Sequence, residues 1–287
     1  MSPKSTSVFD VPFWENQWKE LGRSFLSSHQ KRHPDRWRRF YDVHGPDMRE
    51  ISGLDNGQAV QIVDSFFDQG LLTPDTSVVD IGCGNGWLAL PMARKNIHVL
   101  AVDTSEKMLS ELHARAGELN GRFLKTRQSC WTGITPERPF GMALAACFPP
   151  VLSPGGIQKM ERLGKKCALM LPGSEPGPIW IKKLWQELFG RSPFTGGRHL
   201  QTALNYLMAA GRSPGLIPLA VPFSVNLSWK QVLEYYTGYF SLFDKPPGES
   251  RPVIEQVLSP YIHDGRVVAS GKIHYGLVWW RTPHAAA

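Results

Sequence analysis

The hydrophobic positions of this chain alternate between two spacings from about residue 57 to residue 190. Apolar residues at helical spacing over 57–69 predict an amphipathic helix, and the β-branched run over 77–81 predicts a buried parallel strand. Further strands are predicted at 97–102, 121–128, 140–147 and 167–171, and further helices at 87–95, 105–120, 157–163 and 179–189. This alternation is typical of an α/β protein whose parallel sheet carries helices on both faces.

After residue 190 the pattern changes. The segment 211–222 is rich in proline and glycine, and strands are predicted at 221–227 and, as the final strand, at 272–281. Helices are expected between these strands at 229–240 and 252–261, separated by a loop that contains Pro246, Pro247 and Gly248. We therefore expect a helical insertion at about residues 228–266 within a core domain that spans 57–287.

Residues 1–56 are predicted to form a separate helical lid. Phe13, Trp14, Trp18, Leu21 and Phe25 recur at helical spacing. A basic cluster then surrounds the aromatic residues of the segment 37–41, and its members are Lys31, Arg32, Arg36, Arg38 and Arg39. Two interpretations stay open: a solvated basic face, or a basic lid that attracts an anionic substrate.

Composition excludes several classes of protein. The chain has 287 residues, of which 42% are hydrophobic and 20% charged, as is typical of a globular protein. Its net charge of +7 keeps nucleic-acid binding open. No apolar run approaches the roughly 18 residues of a membrane span, and no secretory signal is recognised, so a cytoplasmic protein is expected.

The cysteines favour neither a disulfide scaffold nor a metal site. Cys83, Cys130, Cys147 and Cys167 are too few and too widely spaced for a disulfide framework. None of them forms a C-x-x-C pair, so no metal is predicted. Free thiols are typical of a reducing compartment.

The segment that carries chemistry is Val-Val-Asp-Ile-Gly-Cys-Gly-Asn-Gly at 78–86. Glycine permits the tight turn between strand and helix and lets a ligand approach the main chain. The glycine spacing differs from the dinucleotide fingerprint, because Trp87 stands where its third glycine would be, and a P-loop is excluded. The second strand leads to Asp103, whose carboxylate can bind both hydroxyls of a ribose. A ligand with a ribose and a small charged tail is therefore predicted.

This segment, with Ala-Val-Asp-Thr-Ser-Glu-Lys-Met-Leu at 101–109, resembles the class I S-adenosylmethionine-dependent methyltransferases. The resemblance is specific over 78–109 and weaker as far as about residue 171. It implies an enzyme with a Rossmann-like, seven-stranded, mostly parallel sheet whose last strand is antiparallel, a role that 272–281 can fill. It also implies S-adenosylmethionine as cofactor and S-adenosylhomocysteine as product.

The resemblance implies roles for individual residues. Asp80 would orient the methionine amine, Asp103 would hold the ribose, and Met108 would lie near the adenine. The complete set of implied cofactor contacts is Asp80, Gly82, Cys83, Gly84, Asn85, Gly86, Asp103, Thr104, Met108, Ser129, Cys130, Trp131 and Cys147. Relatives often carry an acidic residue in the loop 128–131 for the adenine amino group; here Ser129 or a backbone carbonyl could replace it.

The acceptor end offers weaker signals. The loop Cys147-Phe148-Pro149-Pro150 lacks the Asn/Asp-Pro-Pro-aromatic motif of enzymes that methylate base amino groups, so it is either a stiff turn or a wall of the methyl-transfer channel. Phe148, Tyr41, Tyr235 and Tyr239 are the candidate substrate contacts. Tyr235 and Tyr239 form a helical stripe that is either core or an aromatic pocket wall. Tyr41, His44 and His199 are the candidate general bases, each with a plain structural role as the alternative.

Three functions remain in view at this stage. The leading hypothesis is methyl transfer from S-adenosylmethionine to a small-molecule acceptor, with an anionic acceptor suited to the basic lid. The first alternative is a methyltransferase of RNA or another nucleic acid that uses the same lid. The second is a non-catalytic subunit that binds S-adenosylmethionine.

Overall fold

The computed structural model of this chain describes residues 7–23, 25–52, 56–173, 178–192 and 197–283. The helices of these ranges are α1 (Val11–Gly22), α2 (Phe25–Arg32), α3 (Pro34–Ile51), α4 (Asn56–Asp68), α5 (Ala89–Arg94), α6 (Glu106–Ala116), α7 (Pro154–Leu163), α8 (Trp180–Phe189), α9 (Arg198–Ala209), α10 (Trp229–Ser241) and α11 (Pro247–Leu258). The strands are β1 (Ser77–Ile81), β2 (His98–Asp103), β3 (Leu124–Gln128), β4 (Phe140–Ala146), β5 (Gly164–Pro172), β6 (Gly215–Ser228), β7 (Ile262–His263) and β8 (Arg266–Arg281).

The strands form one sheet in the order β3-β2-β1-β4-β5-β8-β6. Strands β1 to β5 pair in parallel, whereas β8 runs antiparallel to both β5 and β6. The predicted Rossmann-like sheet with an antiparallel last strand is confirmed. The expected number of seven strands is corrected to eight within the described ranges, because the two-residue strand β7 pairs with the beginning of β8.

The strand predicted at 221–227 is longer in the structure. β6 begins at Gly215, within the segment rich in proline and glycine, and contains Pro218 and Pro222. Strand β6 lies at the end of the strand order, and an edge strand has an unpaired side on which a missing N–H costs nothing. Helix α11 likewise begins at Pro247 rather than at residue 252, because proline is favoured in the first turn of a helix.

Two hydrophobic layers cover the sheet. Successive residues of a strand point to opposite faces, so Val78 packs with α4, α5 and α6 whereas Val79 packs with α1, α7 and α9. Both residues are fully buried. The parallel strands are therefore covered on both faces, as the continuous apolar strands β1 and β4 require.

A second core lies beyond the carboxyl ends of the parallel strands. Strands β6 and β8 pair from Gly215 with Trp279 to Ser228 with Arg266, whereas β5 stops pairing with β8 at Tyr275. The remaining two-stranded ribbon packs with helices α3, α8, α10 and α11. The largest buried side chains of this second core are Trp37, Phe40, Trp180, Trp185, Phe223, Tyr235, Tyr236, Phe240 and Phe243. It places α3 above the edge of the sheet where the glycine motif ends.

No helix of the described ranges is both long enough and apolar enough to cross a bilayer.

Candidate functional site

The glycine motif forms a tight turn fixed to the end of β2. Gly82 and Gly84 have positive φ angles of 69° and 53°, which strain any other residue. The backbone N–H groups of Gly82 and Cys83 donate to the carbonyl oxygen of Val102 at 2.8 and 3.1 Å. A Cβ atom on Gly82 would overlap the ring of Phe148. The turn therefore exposes main chain that a side chain would cover.

Asp103 is held by two backbone donors. Its Oδ2 accepts from the N–H of Gly84 at 2.9 Å, and its Oδ1 accepts from the N–H of Ser105 at 2.9 Å. Each carboxylate oxygen can accept further hydrogen bonds, so both oxygens remain able to bind ligand hydroxyls. The carboxylate thus joins the glycine turn to the beginning of α6 in a fixed orientation.

Helix α3 lies directly on the beginning of α6. Ser105 is the N-cap of α6, where its Oγ accepts from the N–H of Met108 at 3.2 Å and donates to Oδ1 of Asp42 at 2.6 Å. Gly45 is buried one turn further along α3, and a Cβ atom there would overlap the thioether of Met108. These contacts close α3 over the site next to Asp103.

A cavity of about 600 Å³ connects the glycine motif to helices α2 and α3. The sequence-predicted residues that line it are Tyr41, Asp80, Gly82, Cys83, Gly84, Asn85, Asp103, Thr104, Met108, Ser129, Cys130, Trp131, Cys147, Phe148 and His199. The structure therefore brings most of the implied cofactor contacts to one cavity, and their individual roles remain predictions.

Gly86 does not belong to this lining. Its φ angle is 81°, and a Cβ atom there would overlap the side chain of Leu112 in α6. The third glycine of the motif thus allows close packing of the turn against α6, and its contact with the cofactor stays a prediction.

The carboxyl group of Asp80 is close to half ionised at neutral pH. Its side chain is 2% exposed. Burial raises the pKa of Asp80 to about 7, and the neighbouring Asp103 carboxylate raises it further in the same direction. A cationic group in the cavity would favour the ionised form of Asp80. This corner of the site is therefore suited to an amine.

The loop after β4 forms one wall of the cavity. Cys147 has a φ angle of 50° and donates its N–H to the carbonyl oxygen of Met170 at 2.8 Å. The Cys147 side chain is exposed where it borders the cavity. Desolvation by the surrounding protein raises the pKa of its thiol, which disfavours the thiolate that nucleophilic chemistry needs. With the Phe148 ring against Gly82, this loop shapes the cavity instead of supplying a nucleophile.

The loop after β3 forms the opposite wall. The N–H of Ser129 donates to the carbonyl oxygen of Asp103 at 3.0 Å. The Ser129 hydroxyl oxygen is buried and has no hydrogen-bond partner within the described part of the chain. Such a group is costly to leave unpaired, which is consistent with the predicted adenine contact.

The candidate bases and aromatic residues separate into two groups. Tyr41 and His199 line the cavity. His44 lies outside the lining, with its ring 5.1 Å from Phe40 and its imidazole against Gly238 of α10. Tyr235 and Tyr239 lie outside it too, stacked at 6.4 Å within the second core. Packing thus favours the structural interpretation for His44, Tyr235 and Tyr239.

Three aromatic residues of the cavity lining were absent from the sequence-based candidate contacts, namely Trp37, Trp87 and Tyr275. Tyr275 of β8 lines the cavity and pairs with Pro172 at the carboxyl end of β5. A signal for it existed, because the beginning of an antiparallel last strand must lie at the carboxyl edge of its parallel neighbours. Burial raises the pKa of Tyr275, and the nearby Cys147 raises it further. The Tyr275 hydroxyl therefore stays protonated at neutral pH.

Among the described residues, no group of three or more His, Cys, Asp or Glu side chains is arranged to hold a metal ion.

Comparisons with known proteins agree with the motif. A family model described as a methyltransferase domain matches residues 78–162. The chain is 34% identical over 86 residues to magnesium-protoporphyrin O-methyltransferase of Synechocystis, covering 30% of this chain and 37% of that protein. It is 28% identical over 140 residues to ubiquinone biosynthesis O-methyltransferase of Roseobacter denitrificans, covering 41% and 56%. The chain thus spans less than two thirds of either relative.

The fold has a solved counterpart. The structure of the cyclase SpnF superposes with a TM-score of 0.52 at 18% identity, covering 85% of this chain and 94% of that one. At this identity the likeness shows the shared fold alone.

Proposed function

Because residues 78–162 form a methyltransferase domain of the class I S-adenosylmethionine-dependent family, we propose that the protein methylates a small-molecule acceptor. S-Adenosylmethionine supplies an activated methyl group on a sulfonium, and its transfer leaves S-adenosylhomocysteine. The contribution of the protein is to bind both molecules in line and to exclude water. Such positioning can supply about 7–11 kcal/mol of the barrier reduction.

The residues at the motif end fit this cofactor. The buried carboxyl of Asp80 suits the methionine amine, and the two free acceptor positions of Asp103 suit the ribose hydroxyls. The exposed main chain at Gly82 and Gly84 lets the methionine part approach closely. The unpaired Ser129 hydroxyl supports a contact with the adenine.

The observation that carries the proposal is the continuity of the cavity. One space of about 600 Å³ extends from the glycine motif to the inner faces of α2 and α3, where Lys31 and Trp37 border it. This is within the roughly 300–1,000 Å³ of small-molecule pockets. The hydrogen bond between Ser105 and Asp42 fixes α3 beside this space, whose volume suits a small acceptor better than a polymer.

We further propose that the acceptor atom is oxygen. Both curated relatives are named as O-methyltransferases, and they match this chain at 34% identity over 86 residues and 28% identity over 140 residues. In this chain Tyr275 lines the cavity near Cys147, and its protonated hydroxyl can donate a hydrogen bond to an acceptor oxygen.

Calorimetric titration of the full chain with S-adenosylhomocysteine tests the cofactor half. We expect Asp103→Ala to weaken binding at least tenfold, because two charge-assisted hydrogen bonds to the ribose are lost. Asp68→Ala, which removes an exposed carboxylate at the end of α4, serves as the control and should bind normally. Equal affinity of Asp103→Ala and the unmodified chain would refute the assignment.

Formation of S-adenosylhomocysteine from S-adenosylmethionine tests the catalytic half. Small hydroxylated acids and an RNA oligonucleotide should be compared as acceptors in the same assay. Turnover with a small acid supports the proposal, and turnover with RNA alone contradicts it. Tight cofactor binding without any turnover favours the non-catalytic alternative.

A further inference from the structure

The lining of the cavity divides into an acidic end and a basic end. The carboxylates among the described lining residues are Asp80 and Asp103, and both belong to the motif end. The cationic side chains of that lining, Lys31 and Arg38, come from α2 and α3. Complementary charge selects partners, so the two ends favour ligand groups of opposite sign.

Lys31 is the better placed of these two cations. It makes no ion pair with a residue of the described ranges, and its ammonium lies 3.5 Å from the position that a Cβ on Gly22 would occupy. Arg38, by contrast, forms an ion pair with Asp35 at 3.2 Å. Arg36, another member of the basic cluster, forms an ion pair with Asp244 at 2.8 Å. The charge of Lys31 is therefore available to a ligand at the junction of α1 and α2.

His199, at the beginning of α9, lies at the same end. Its Nδ1 is buried without a hydrogen-bond partner in the part of the chain that the structure describes. Burial lowers the pKa of His199 to about 4, and the neighbouring Arg198 and Lys31 lower it in the same direction. The imidazole is therefore neutral at physiological pH. In this form one ring nitrogen can donate a hydrogen bond to a ligand.

Aromatic side chains border the space between the two ends. Trp37 and Tyr41 lie one helical turn apart on α3, with ring centroids 5.7 Å apart, and both line the cavity. The Trp37 ring is fixed from behind by Phe243 and by a hydrogen bond from its Nε1 to Nδ1 of His29 at 3.3 Å. Rigid aromatic walls of this kind suit a flat apolar body.

We propose that the acceptor is a hydroxylated aryl carboxylate, whose carboxylate pairs with Lys31 and accepts a hydrogen bond from His199 while its ring lies beside Trp37 and Tyr41. The inference rests on the proposed function and gives its acceptor a chemical class. It also explains why a lid with a surplus of basic residues faces a cavity whose other end is acidic. The basic cluster then has a specific ligand rather than a diffuse role on the surface.

Matched probes on the full chain test this proposal. 4-Hydroxycinnamate and 4-hydroxybenzoate, each compared with its uncharged carboxamide, are titrated in the presence of saturating S-adenosylhomocysteine. We expect each acid that fits to bind about tenfold more tightly than its amide, as a charge-assisted contact allows. Lys31→Met should bring the two affinities within about twofold of each other, and Lys31→Arg should restore most of the difference.

The control variant is Arg39→Met, which removes the same charge from an exposed position of α3 outside the lining. It should keep the preference for the acid. Equal losses in Lys31→Met and Arg39→Met would overturn the proposal in favour of a diffuse charge effect. Binding of neither acid at millimolar concentration, or displacement of the acid by RNA in a strongly salt-dependent way, would overturn it too. Loss of S-adenosylhomocysteine binding would instead refute the proposed function.

Discussion

The hydroxyl of Ser105 donates a 2.6 Å hydrogen bond to Oδ1 of Asp42 and so joins the N-terminal helices to the cofactor motif. We expect Asp42→Ala to lower the affinity for S-adenosylhomocysteine about threefold to tenfold, because a hydrogen bond to a charged group is worth about 1.5–3 kcal/mol and part of it is screened. Calorimetry measures the change. Asp64→Asn, which breaks the 2.7 Å pair with Lys95 on the far side of the core, should leave the affinity unchanged.

Gly82 is restricted both by its backbone and by its neighbour. Gly82→Ala should abolish measurable cofactor binding, because the new methyl group must displace Phe148 and hold a φ of 69°. Gly70→Ala is a matched control, since Gly70 has a φ of 63° but no atom within 4 Å of a Cβ position. Both variants should lose about 1–2 kcal/mol of unfolding free energy through backbone strain. Normal binding by Gly82→Ala would contradict the close approach.

The pKa of Asp80, about 7 in the folded protein, makes cofactor binding dependent on pH. A cationic amine prefers the carboxylate, so the affinity for S-adenosylhomocysteine should rise between about pH 6 and pH 8. Asp80→Asn removes the titrating group and should flatten this rise. A profile that is identical in both proteins would show that another group controls binding.

The Asp80 carboxyl affects the free energy of unfolding in the opposite direction, because its contribution falls as the pH rises. The folded-state pKa lies above the ordinary value of 3.8, so the folded protein binds more protons than the unfolded chain between these values. The contribution of Asp80 to stability is therefore present at low pH and is lost as the pH rises towards about 7. Asp80→Asn should be more stable than the unmodified chain at pH 8, as denaturant titration without cofactor would show.

Substitution of Tyr235 should lower the free energy of unfolding, whereas substitution of Tyr41 should alter turnover. Tyr235→Ala is expected to lose about 3–5 kcal/mol of unfolding free energy, because this tyrosine is 8% exposed within the second core. Tyr235→Phe should leave cofactor binding and turnover unchanged. Tyr41→Phe should keep stability but alter turnover, since its hydroxyl belongs to a residue of the cavity wall. A changed KM for the acceptor in Tyr235→Phe would place that residue in the site after all.

The parts of the site that were predictable from the sequence are those fixed by local geometry. The turn at Gly82 and Gly84 needs positive φ angles, and only a few patterns of glycine after a buried strand satisfy that need. The edge strand β6 was harder to predict, since Pro218 and Pro222 read as breakers until the strand order shows that one side of β6 is unpaired.

The rotation of α3 could not be predicted either. Trp37, Tyr41 and Gly45 form one stripe that lines the cavity, whereas Phe40 and His44 form the next stripe and pack on α10. Both stripes are rich in aromatic residues, so the hydrophobic pattern does not tell them apart. Only the contacts Asp42 to Ser105 and Gly45 to Met108 determine which one faces the cofactor motif.

The ion pair between Arg36 and Asp244 joins residues that are 208 positions apart in the chain. The second core likewise joins distant parts of the chain, because α3 packs there against helices α10 and α11, which follow β6. During synthesis the parallel strands can pair as they emerge, but α3 must wait until α10 has left the ribosome. The part of the cavity wall that α3 contributes can therefore take its final position only after α10 has been synthesised.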